Sequence, residues 1–427
     1  MSLPAAVIVI GGGAAGLVAA IAAARRGAAV TVLERMPRVG KKLLATGNGR
    51  CNFANARPSL NRFHGRDAGF AAAALAAFDL DATLGFFARL GIVAREEEAG
   101  KIFPRSGQAS SVLDLLRHEM AGLGVDVRCE TAVTNLARRR GAWELAAHDG
   151  TVRCDAVVLA SGGKASPQLG SNGSGYDLVR PLGHQLVAPF PALTRIRVAS
   201  PFLKHLKGVK IDGVAALAPQ RPGDRPERAS LEPLDASGGE ILFTETGLSG
   251  PPILDLSRRA GERAQRGEKS LVLLDLCPEF ADDDLVALLR GRFKGRADAS
   301  VELALVGFLN KRLAGPVLKV AGVHDPARPA ASLGEPEIVA LARALKRWRF
   351  EVTGTDSWSD AQVTAGGVDV AAVRPDTLES RLAPGLFFAG EVLDIDGDCG
   401  GFNLQWAWSS GHVAGTAAAV RPAGAAP

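Results

Sequence analysis

The segment at residues 6–34, AVIVIGGGAAGLVAAIAAARRGAAVTVLE, restricts the possible folds of this chain more than any other. It has the pattern of a β-strand, a glycine-rich turn, a helix of small residues and a second strand that ends at an acid. Gly11, Gly13 and Gly16 fill the glycine positions of G-x-G-x-x-G, which permit a tight turn, close approach of the backbone to a pyrophosphate and close helix–strand packing. Glu34 follows Gly16 by 18 residues, where a carboxylate binds a ribose hydroxyl. The segment predicts a dinucleotide-binding βαβ unit.

A signal peptide or a membrane span is the alternative interpretation of this segment, because residues 5–24 carry no charge. Against it, no cationic segment precedes the apolar run, three consecutive glycines interrupt it, and a strand with an acidic end follows. Later segments do not reach the ~20 uninterrupted apolar residues of a spanning helix. We therefore expect no membrane segment.

Composition indicates a globular protein of a reducing compartment. A length of 427 residues predicts two or three domains, and the net charge of +5 is compatible with an anionic cofactor or substrate. The five cysteines are odd in number, far apart and without a C-x-x-C pair, which argues against a disulfide scaffold or a zinc site. We expect a cytoplasmic protein, a monomer or a homodimer, that does not bind nucleic acid.

The C-terminal region indicates which dinucleotide binds. Residues 385–415 read GLFFAGEVLDIDGDCGGFNLQWAWSSGHVAG, a short buried strand, a loop and a helix that runs to about Ala419. A second helix N-terminus beside a flavin stabilises negative charge on the pyrimidine end of the reduced ring. Glu391 or Asp394 is placed to bind ribityl hydroxyls. A nicotinamide-binding domain has no need of this second element, so the sequence favours FAD.

Two further segments fit the same fold. Residues 155–163, DAVVLASGG, predict a strand that enters a glycine turn near the cofactor, and residues 131–136, TAVTNL, predict a strand bordering the adenine. An ordinary buried strand is the alternative for each segment alone, and their order along the chain favours the cofactor site. The prediction is an α/β fold in which both chain ends build the FAD-binding domain.

Several competing motifs are incomplete. The start of an EF-hand loop is matched by Asp394, Asp396 and Asp398. However, Cys399 stands where that loop requires glycine, and Gln405 stands where it requires the final glutamate. The sequence contains no intact G-x-S-x-G, and its seven histidines do not cluster at ligand spacing. We expect neither a hydrolase nor a metal site.

Four further blocks carry a family resemblance: RVGKKLLATGNGRCNFAN at 38–55, KIFPRSGQASSVLDLL at 101–116, GEILFTETGLSGPPILDLS at 239–257, and QVTAGGV at 362–368. With the two chain ends, they resemble the BaiN-like family of bacterial FAD-dependent flavoproteins. These are predicted NAD(P)/FAD-dependent oxidoreductases with a glutathione-reductase-type FAD fold, and include aminoacetone-oxidase-like proteins and reductases of activated double bonds. One departure is Phe402, which stands where a tyrosine is common in the family.

The resemblance implies a Rossmann-like FAD-binding domain with an inserted β-barrel-like module that itself carries a helical subdomain. Strand-like runs separated by Gly, Pro and Asp, followed by helical periodicity, agree with this order. The expected boundaries are 1–190 and 361–427 for the FAD-binding domain, 191–280 and 347–360 for the β insert, and 281–346 for the helical part. We expect the substrate pocket at the domain interface.

The loop after the acidic strand end is the strongest candidate for chemistry. Lys42 and Arg50 are expected to neutralise phosphate or the reduced flavin, and Cys51 and Asn52 to lie nearest the ring. A catalytic thiol needs a lowered pKa, for which Arg50 is the candidate cause. For Cys51 we favour the other interpretation, a packed thiol that contacts the flavin without reacting. Arg50, Cys51 and Asn52 are the catalytic candidates.

The full set of expected contacts extends over the chain. The predicted cofactor-binding residues are Gly11, Gly13, Ala14, Ala15, Gly16, Glu34, Arg35, Lys42, Thr46, Gly47, Gly49, Arg50, Cys51, Asn52, Val133, Ser161, Gly162, Gly163, Gly390, Glu391, Asp394, Gly401, Phe402, Asn403 and Leu404. Weaker candidates for the substrate cleft, each with a structural role as its alternative, are Arg105, Ser106, His184, Glu245, Thr246 and Ser249.

The sequence thus predicts an FAD-dependent oxidoreductase that transfers hydride through flavin N5 to or from a small organic substrate. No second G-x-G-x-x-G follows a strand, so we expect NAD(P)H to be a transient donor, or a substrate to reduce the flavin and oxygen to reoxidise it. An FAD-dependent tRNA-modifying enzyme and a non-catalytic flavin-binding protein are the alternatives.

Overall fold

The computed structural model of the chain describes residues 5–147, 150–220 and 232–420. Most of the polar segment 219–230, predicted to be an exposed loop, and the C-terminal tail 421–427, predicted to be frayed, lie outside these ranges. Within them, no single helix combines the length and apolar character needed to cross a bilayer. The helices at 68–77 and 80–89 have the required length and apolar character when they are taken together, but the pair is bent by 46°.

The elements of the chain fall into three consecutive stretches. Through residue 192 they are β1 (Ala6–Ile10), α1 (Ala14–Arg25), β2 (Ala29–Leu33), α2 (Lys41–Ala45), β3 (Ala54–Asn55), β4 (Phe63–His64), α3 (Ala71–Ala77), α4 (Leu80–Arg89), β5 (Ala94–Glu96), β6 (Lys101–Pro104), α5 (Ala109–Gly122), β7 (Asp126–Arg128), β8 (Val133–Arg139), β9 (Ala142–Ala147), β10 (Gly150–Cys154), β11 (Ala156–Leu159), α6 (Ser174–Val179) and β12 (Leu186–Ala192). Next come β13 (Ile196–Ala199), α7 (Leu203–Leu206), β14 (Lys210–Pro219), β15 (Asp235–Phe243), β16 (Gly247–Ser249), α8 (Pro251–Gln265), β17 (Ser270–Asp275), α9 (Asp282–Gly295), α10 (Val301–Leu305), α11 (Lys311–Val320), α12 (Glu335–Lys346) and β18 (Trp348–Thr355). The last stretch holds β19 (Val363–Val368), β20 (Leu386–Phe388), β21 (Asp396–Gly397) and α13 (Phe402–Ala418).

The chain divides into two compact units. One combines the described residues of Met1–Ala192 and Trp358–Pro427, and the other is Leu193–Ser357. The first unit therefore contains both chain ends and the second is an insertion between them. The domain boundaries given above, which also separate a helical part from the β insert, remain a prediction.

A parallel sheet in the order β20-β11-β1-β2-β7 organises the first unit. Its central strand β1 pairs in register with β2 on one side and β11 on the other. Strand β1 is an apolar run, and four of its five residues are buried, which is typical of a parallel strand covered on both faces. All strands of this sheet run in one direction, so the loops that follow β1, β11 and β20 meet at its carboxyl edge.

Helix α1 packs directly against helix α13, and this contact joins the two chain ends. A Cβ atom at Gly411 would lie 2.4 Å from the carbonyl oxygen of Ala15, and one at Gly415 would lie 2.2 Å from that of Ala19. Only glycine permits the two backbones to approach this closely. The small residues of α1, which were predicted for helix–strand packing, also serve this helix–helix contact.

The second unit is a closed barrel in the strand order β13-β16-β15-β14-β17-β18, and helices α9 to α12 lie between β17 and β18 in the chain. Its core is separate from that of the first unit and includes Phe243, Trp348 and Phe350 from the barrel with Leu289 from α9. The predicted fold class, a Rossmann-type domain with an inserted barrel and helices, is confirmed.

Two details differ from the sequence-based prediction. Residues 251–265, within the region predicted to be strands, form the amphipathic helix α8, because Ile253, Leu256 and Ala260 recur at helical spacing and pack in the barrel core. The helical run from 301 is broken between α10 and α11. The strand predicted at 131–136 is observed as β8, in an antiparallel sheet with β9 and β10, and its place beside the adenine stays a prediction.

The contact between α1 and α13 makes a prediction about stability. We expect Gly415→Ala to lower the free energy of unfolding by about 1–3 kcal/mol, because the new methyl group overlaps backbone that must shift. Urea unfolding monitored by circular dichroism measures this. Gly291→Ala is the matched control, since Gly291 lies inside α9 with open space around it, and it should stabilise by up to about 1 kcal/mol. Equal effects of the two substitutions would contradict the packing argument.

Candidate active site

The first glycine turn forms an open cradle at the N-terminus of α1. Gly11 has φ 104°, and a Cβ there would lie 2.6 Å from the carbonyl oxygen of Ala160. A Cβ at Gly16 would lie 1.9 Å from the carbonyl oxygen of Gly11, which is the close helix–strand approach expected from the motif. Gly13, by contrast, precedes the first residue of α1 and faces space that no protein atom fills within 4 Å. Ala14 and Ala15 open the helix. This combination of free helix N–H groups and empty space fits a phosphate.

Glu34 is fixed by the turn that it was predicted to accompany. Its Oε2 accepts a hydrogen bond from the Gly12 N–H at 2.7 Å, and its Oε1 accepts one from the Met36 N–H at 2.8 Å. Each carboxylate oxygen has two lone pairs, so both retain capacity for a hydroxyl donor. The side chain of Arg35 turns away to donate to the carbonyl oxygen of Gly170 at 3.2 Å.

The loop after α2 has an unusual backbone. Gly47, Asn48, Gly49 and Cys51 all have left-handed φ angles, at 55°, 55°, 83° and 61°. Non-glycine residues pay a steric cost in this region, and such positions cluster at functional sites. Thr46 Oγ1 donates to the carbonyl oxygen of Leu43 at 2.6 Å and so fixes the start of the loop.

Lys42 is paired with a carboxylate. Its Nζ lies 3.1 and 2.9 Å from the two carboxylate oxygens of Glu391, although the two residues are 349 positions apart in the sequence. Glu391 Oε1 also accepts hydrogen bonds from the N–H and the hydroxyl group of Thr364, and Thr364 Oγ1 accepts the N–H of Lys164 at 2.8 Å. Two predicted cofactor-binding side chains thus meet, but each is satisfied by the other. The charge of Lys42 is thus balanced by Glu391, and its expected role toward phosphate or the reduced flavin stays a prediction.

Arg50 is also paired, which changes its expected role. Its guanidinium donates to Glu97 at 2.5 Å and lies over the ring of Phe103 at 4.2 Å, and Arg95 binds the same carboxylate. These contacts with Arg50 and Arg95 hold the pKa of Glu97 below its usual value against the effect of desolvation. The charge of Arg50 is therefore engaged by Glu97 and is not available to activate a neighbouring thiol.

Cys51 has the properties of a packed thiol. It is fully buried, and burial raises its pKa to about 12, an effect that a hydrogen bond with Thr46 only partly offsets. The hypothesis of a lowered pKa caused by Arg50 is therefore wrong. A thiolate at this position is not accessible near neutral pH.

Asn52 has the most informative unpaired atom of the loop. Its Oδ1 is buried and has no hydrogen-bond partner among the described residues. A Cβ at Gly401, just before α13, would lie 3.0 Å from this Oδ1 and 2.3 Å from the carbonyl oxygen of Ala54. A buried unsatisfied acceptor costs about 1–3 kcal/mol, so the site fits a ligand that brings an N–H or O–H group.

The N-terminus of α13 is held next to this atom. Gly401, with φ 104°, precedes the helix, and the Asn403 side chain accepts from the Gly397 N–H and donates to the Gly397 carbonyl oxygen. Phe402 is buried with its ring 6.0 Å from that of Phe63. The Phe402 ring is thus a packing group, and its predicted contact with the cofactor stays a prediction. Leu404 packs against the core of the first unit.

The segments after β11 and β20 complete the carboxyl edge of the sheet. Positive φ angles occur at Gly162 and Gly390, and a Cβ at Gly163 would overlap Thr364. The Gly390 N–H donates to Ser410 Oγ at 2.9 Å. The side chain of Ser161 makes only a long contact, 3.5 Å, with the carbonyl oxygen of Gly162.

Tyr176 is a residue that sequence reasoning missed. It is the single tyrosine of the chain, is buried on α6, and its hydroxyl group has no hydrogen-bond partner among the described residues. Burial, and then the negative charges of Glu391 and Asp394, raise its pKa, which identifies these two carboxylates as its electrostatic neighbours. The local sequence SNGSGY does not predict that Tyr176 lies near Glu391 and Asp394, because these carboxylates come from the far end of the chain.

Other candidates are placed elsewhere. His184 is buried, with Nε2 2.9 Å from Ser380 Oγ and its ring against Phe388, so it is a core residue and not a cleft residue. Burial lowers its pKa. Glu245, in the second unit with Thr246 and Ser249, pairs with Lys207. Val133 begins the antiparallel strand β8, and Arg105 and Ser106 follow β6.

Comparison with known proteins agrees with this geometry. The family model described as HI0933-like protein Rossmann domain matches residues 5–417. The chain belongs to this family. The predicted resemblance to BaiN-like flavoproteins is confirmed, and this HI0933-like protein is a flavoprotein oxidoreductase.

Two curated relatives match nearly the whole HI0933-like chain. The 3-dehydro-bile acid delta(4,6)-reductase of Clostridium scindens is 40% identical and covers 92% of this chain and 94% of its own. The ribosomal RNA dihydrouridine synthase of Escherichia coli is 30% identical and covers 90% of each chain. Among solved structures, an open conformation of a flavocytochrome c3 fumarate reductase is 17% identical, with 97% of this chain and 78% of that chain covered and a TM-score of 0.47.

The burial of Cys51 makes a prediction about reactivity. We expect N-ethylmaleimide at pH 8 to leave Cys51 unmodified in the folded protein, because the thiol is inaccessible and its pKa lies far above that pH. Peptide mass spectrometry after labelling measures the modification. Labelling in urea is the control, and there Cys51 should react fully. Rapid modification of Cys51 in the folded state would contradict the assignment.

Proposed function

We propose that the protein reduces a carbon–carbon double bond conjugated to a carbonyl group, with FAD as its cofactor and NAD(P)H as a transient donor. The relatives support this class of substrate. A delta(4,6)-reductase of a 3-dehydro bile acid reduces a double bond conjugated to a ketone, and a dihydrouridine synthase reduces a uracil double bond conjugated to a carbonyl. The two named activities share this chemistry although their substrates differ in size.

The buried Oδ1 of Asn52 is the observation that carries the proposal. It lies beside Gly401 at the N-terminus of α13 and has no partner in the described part of the chain. An acceptor next to a helix N-terminus matches the pyrimidine edge of a flavin, which presents an N–H group and carbonyl oxygens that gain negative charge on reduction. The fit supports FAD at this end of the sheet.

The residues have distinct roles in holding the cofactor. The cradle at Gly13 and the N-terminus of α1 would bind the pyrophosphate, and Glu34 would bind a ribose hydroxyl. Glu391 and the hydroxyl of Tyr176 would face the ribityl chain, with Lys42 keeping the charge of Glu391 balanced. Bound FAD supplies hydride transfer through N5. The protein supplies orientation, charge compensation and exclusion of water.

A uracil base in RNA is a second candidate substrate. The 30% identity with a ribosomal RNA dihydrouridine synthase over 90% of both chains favours it. RNA binding of this kind would be strongly salt-dependent, because phosphate contacts release counterions. Binding of unmodified ribosomal RNA at two salt concentrations, with mass spectrometry of nucleosides after incubation with NAD(P)H, distinguishes this candidate from a small-molecule enone.

The decisive experiment follows the visible flavin absorbance of the purified protein under anaerobic conditions. NADH and NADPH are added separately, and an enone is then mixed with the reduced protein. We expect one nucleotide to bleach the flavin and the enone to restore its absorbance. A flavin that neither nucleotide reduces contradicts the donor proposal, and a photoreduced flavin that no enone reoxidises contradicts the proposed substrate class.

The cradle at Gly13 makes a prediction about cofactor binding. We expect Gly13→Val to lower FAD affinity at least about tenfold, a change of about 1.4 kcal/mol, because the side chain fills the space meant for phosphate. The backbone at Gly13, φ −82° and ψ −174°, suits valine, and no protein atom lies within 4 Å, so the fold should persist. Titration of apoprotein with FAD, followed by fluorescence, measures the affinity.

Gly122→Val is the matched control for that substitution. Gly122 ends α5, also faces open space, and lies outside the proposed cofactor contacts. Circular dichroism of both variants should report a folded protein. FAD affinity in Gly13→Val equal to that in Gly122→Val would show that the cradle does not hold the pyrophosphate.

A further inference from the structure

We propose that His64, oriented by Asp398, donates the proton that completes reduction of the double bond. This inference rests on the proposed function, because a hydride delivered to one carbon of an enone leaves the other carbon in need of a proton. Neither residue was among the catalytic candidates of the sequence. They are brought together by a strand pair that lies beside the N-terminus of α13.

The two side chains form a dyad. Nε2 of His64 lies 2.6 Å from Oδ1 of Asp398, and Arg62 donates to the other carboxylate oxygen at 3.1 Å. The remaining ring nitrogen of His64, Nδ1, has no hydrogen-bond partner within the described ranges of the chain. The side chain of His64 is 32% exposed, whereas that of Asp398 is 18% exposed. The carboxylate therefore fixes one ring nitrogen, and the side chain as a whole is partly exposed.

The dyad is held at a defined place in the fold. Strand β4 carries His64 and pairs with β21, where Asp396 is the register partner of His64. The Asn403 side chain, in the first turn of α13, binds Gly397 in β21 and also donates to the carbonyl oxygen of Asp398 at 3.3 Å. The helix N-terminus that we assign to the flavin pyrimidine thus holds the backbone that carries Asp398.

The charges around the imidazole favour a stable orientation. Burial acts to raise the pKa of Asp398, but hydrogen bonds and charges from His64 and Arg62 outweigh it and keep the pKa below its ordinary value. Asp398 consequently remains a carboxylate at neutral pH and keeps its hydrogen bond to the ring. Arg62 also lies 5.8 Å from the ring centre of Phe402, which limits its movement. The carboxylate therefore fixes the ring orientation, as in other His–carboxylate pairs.

The proposed step balances in atoms and electrons. Bound FAD, once reduced, would supply a hydride to the β-carbon, and the π electrons of the double bond would move to the α-carbon in conjugation with the carbonyl group. The α-carbon then takes the proton of His64 Nδ1–H, and the electrons of the broken N–H bond stay on the imidazole. Solvent returns a proton to the exposed ring before the next turnover. General acid catalysis of this type contributes about 10²–10⁴-fold to a rate.

The first test separates enone from oxygen as the acceptor. Photoreduced wild-type protein, His64→Gln, Asp398→Asn and the control His118→Gln are mixed anaerobically with cyclohex-2-enone or a 3-oxo-4,6-diene steroid, and separately with oxygen, while the flavin absorbance is followed. His118 is an exposed residue of α5, and it belongs to neither of the two strands that hold the dyad. We expect His64→Gln to slow reoxidation by enone about 10²–10⁴-fold and to leave reoxidation by oxygen unchanged. The reason for this difference is that reoxidation by oxygen does not include protonation of a carbon atom.

The second test does not depend on turnover. If the imidazole lies beside the bound flavin as proposed, removing it should change how the midpoint potential of the flavin depends on pH. We expect the same pH dependence in wild-type protein and His118→Gln, and a different one in His64→Gln. The other charged groups at this position, Arg62, Asp396 and Asp398, are unchanged in that variant.

The outcomes distinguish the two proposals. Failure of both enones to reoxidise the wild-type protein contradicts the proposed function. Normal reoxidation of wild-type protein together with equally fast reoxidation of His64→Gln overturns only the role of His64. A purely structural role would slow reoxidation by oxygen as much as by enone or would reduce the FAD content, and either result also overturns the proposal.

Discussion

The contact between α1 and α13 is the constraint on which the first unit depends. It places the glycine turn after β1 and the loop before α13 in one body, although nearly 400 residues separate them in the chain. Glycines at 411 and 415 meet backbone atoms of Ala15 and Ala19, so the separation of the helices is set by backbone contact and not by adaptable side chains. The first unit tolerates an insertion as large as the barrel unit, because this helix contact joins its two chain segments whatever sequence lies between them.

A second constraint acts on the electrostatics of the candidate site: Lys42 and Arg50 are paired with carboxylates, and the buried polar atoms left without a partner there, among the described residues, are neutral. Lys42 binds Glu391, and Arg50 binds Glu97. The unpaired buried atoms include the amide oxygen of Asn52 and the hydroxyl of Tyr176. Burying an unpaired charge costs more free energy than burying an unpaired amide or hydroxyl group. In the folded protein without ligand, the groups left without a hydrogen bond at this site are therefore neutral ones. A cofactor that binds here gains hydrogen bonds from the neutral atoms without having to separate an ion pair.

Local patterns predicted what depends on local geometry. The turn at Gly11 to Gly16, the strand before Gly390 and the helix from 402 each follow from residue types within one segment. Pairings across the chain were not predictable, since the partners of Lys42 and His64 lie 349 and 334 positions away. The possibility that Arg50 lowers the pKa of Cys51 failed because burial of the thiol dominates and raises that pKa. Helix α8 was missed because its first residues, GPP, resemble a turn.

The two kinds of relative, a bile-acid reductase and a ribosomal RNA dihydrouridine synthase, support a type of reaction more than they support a particular substrate. Under the proposed function, reduction of a bile-acid enone or of a uracil ring needs a hydride from the bound cofactor and a proton for carbon. For these steps the first unit offers the N-terminus of α13 as the site for charge on the flavin and the His64–Asp398 pair as the proton source. Substrate size and shape are selected elsewhere, in surfaces that can change without disturbing these groups. Asn403, in the first turn of α13, binds Gly397 and the carbonyl oxygen of Asp398, so the backbone that carries the proposed dyad is held by this helix. The proposed proton donor and the proposed site of the flavin pyrimidine therefore depend on the same helix N-terminus.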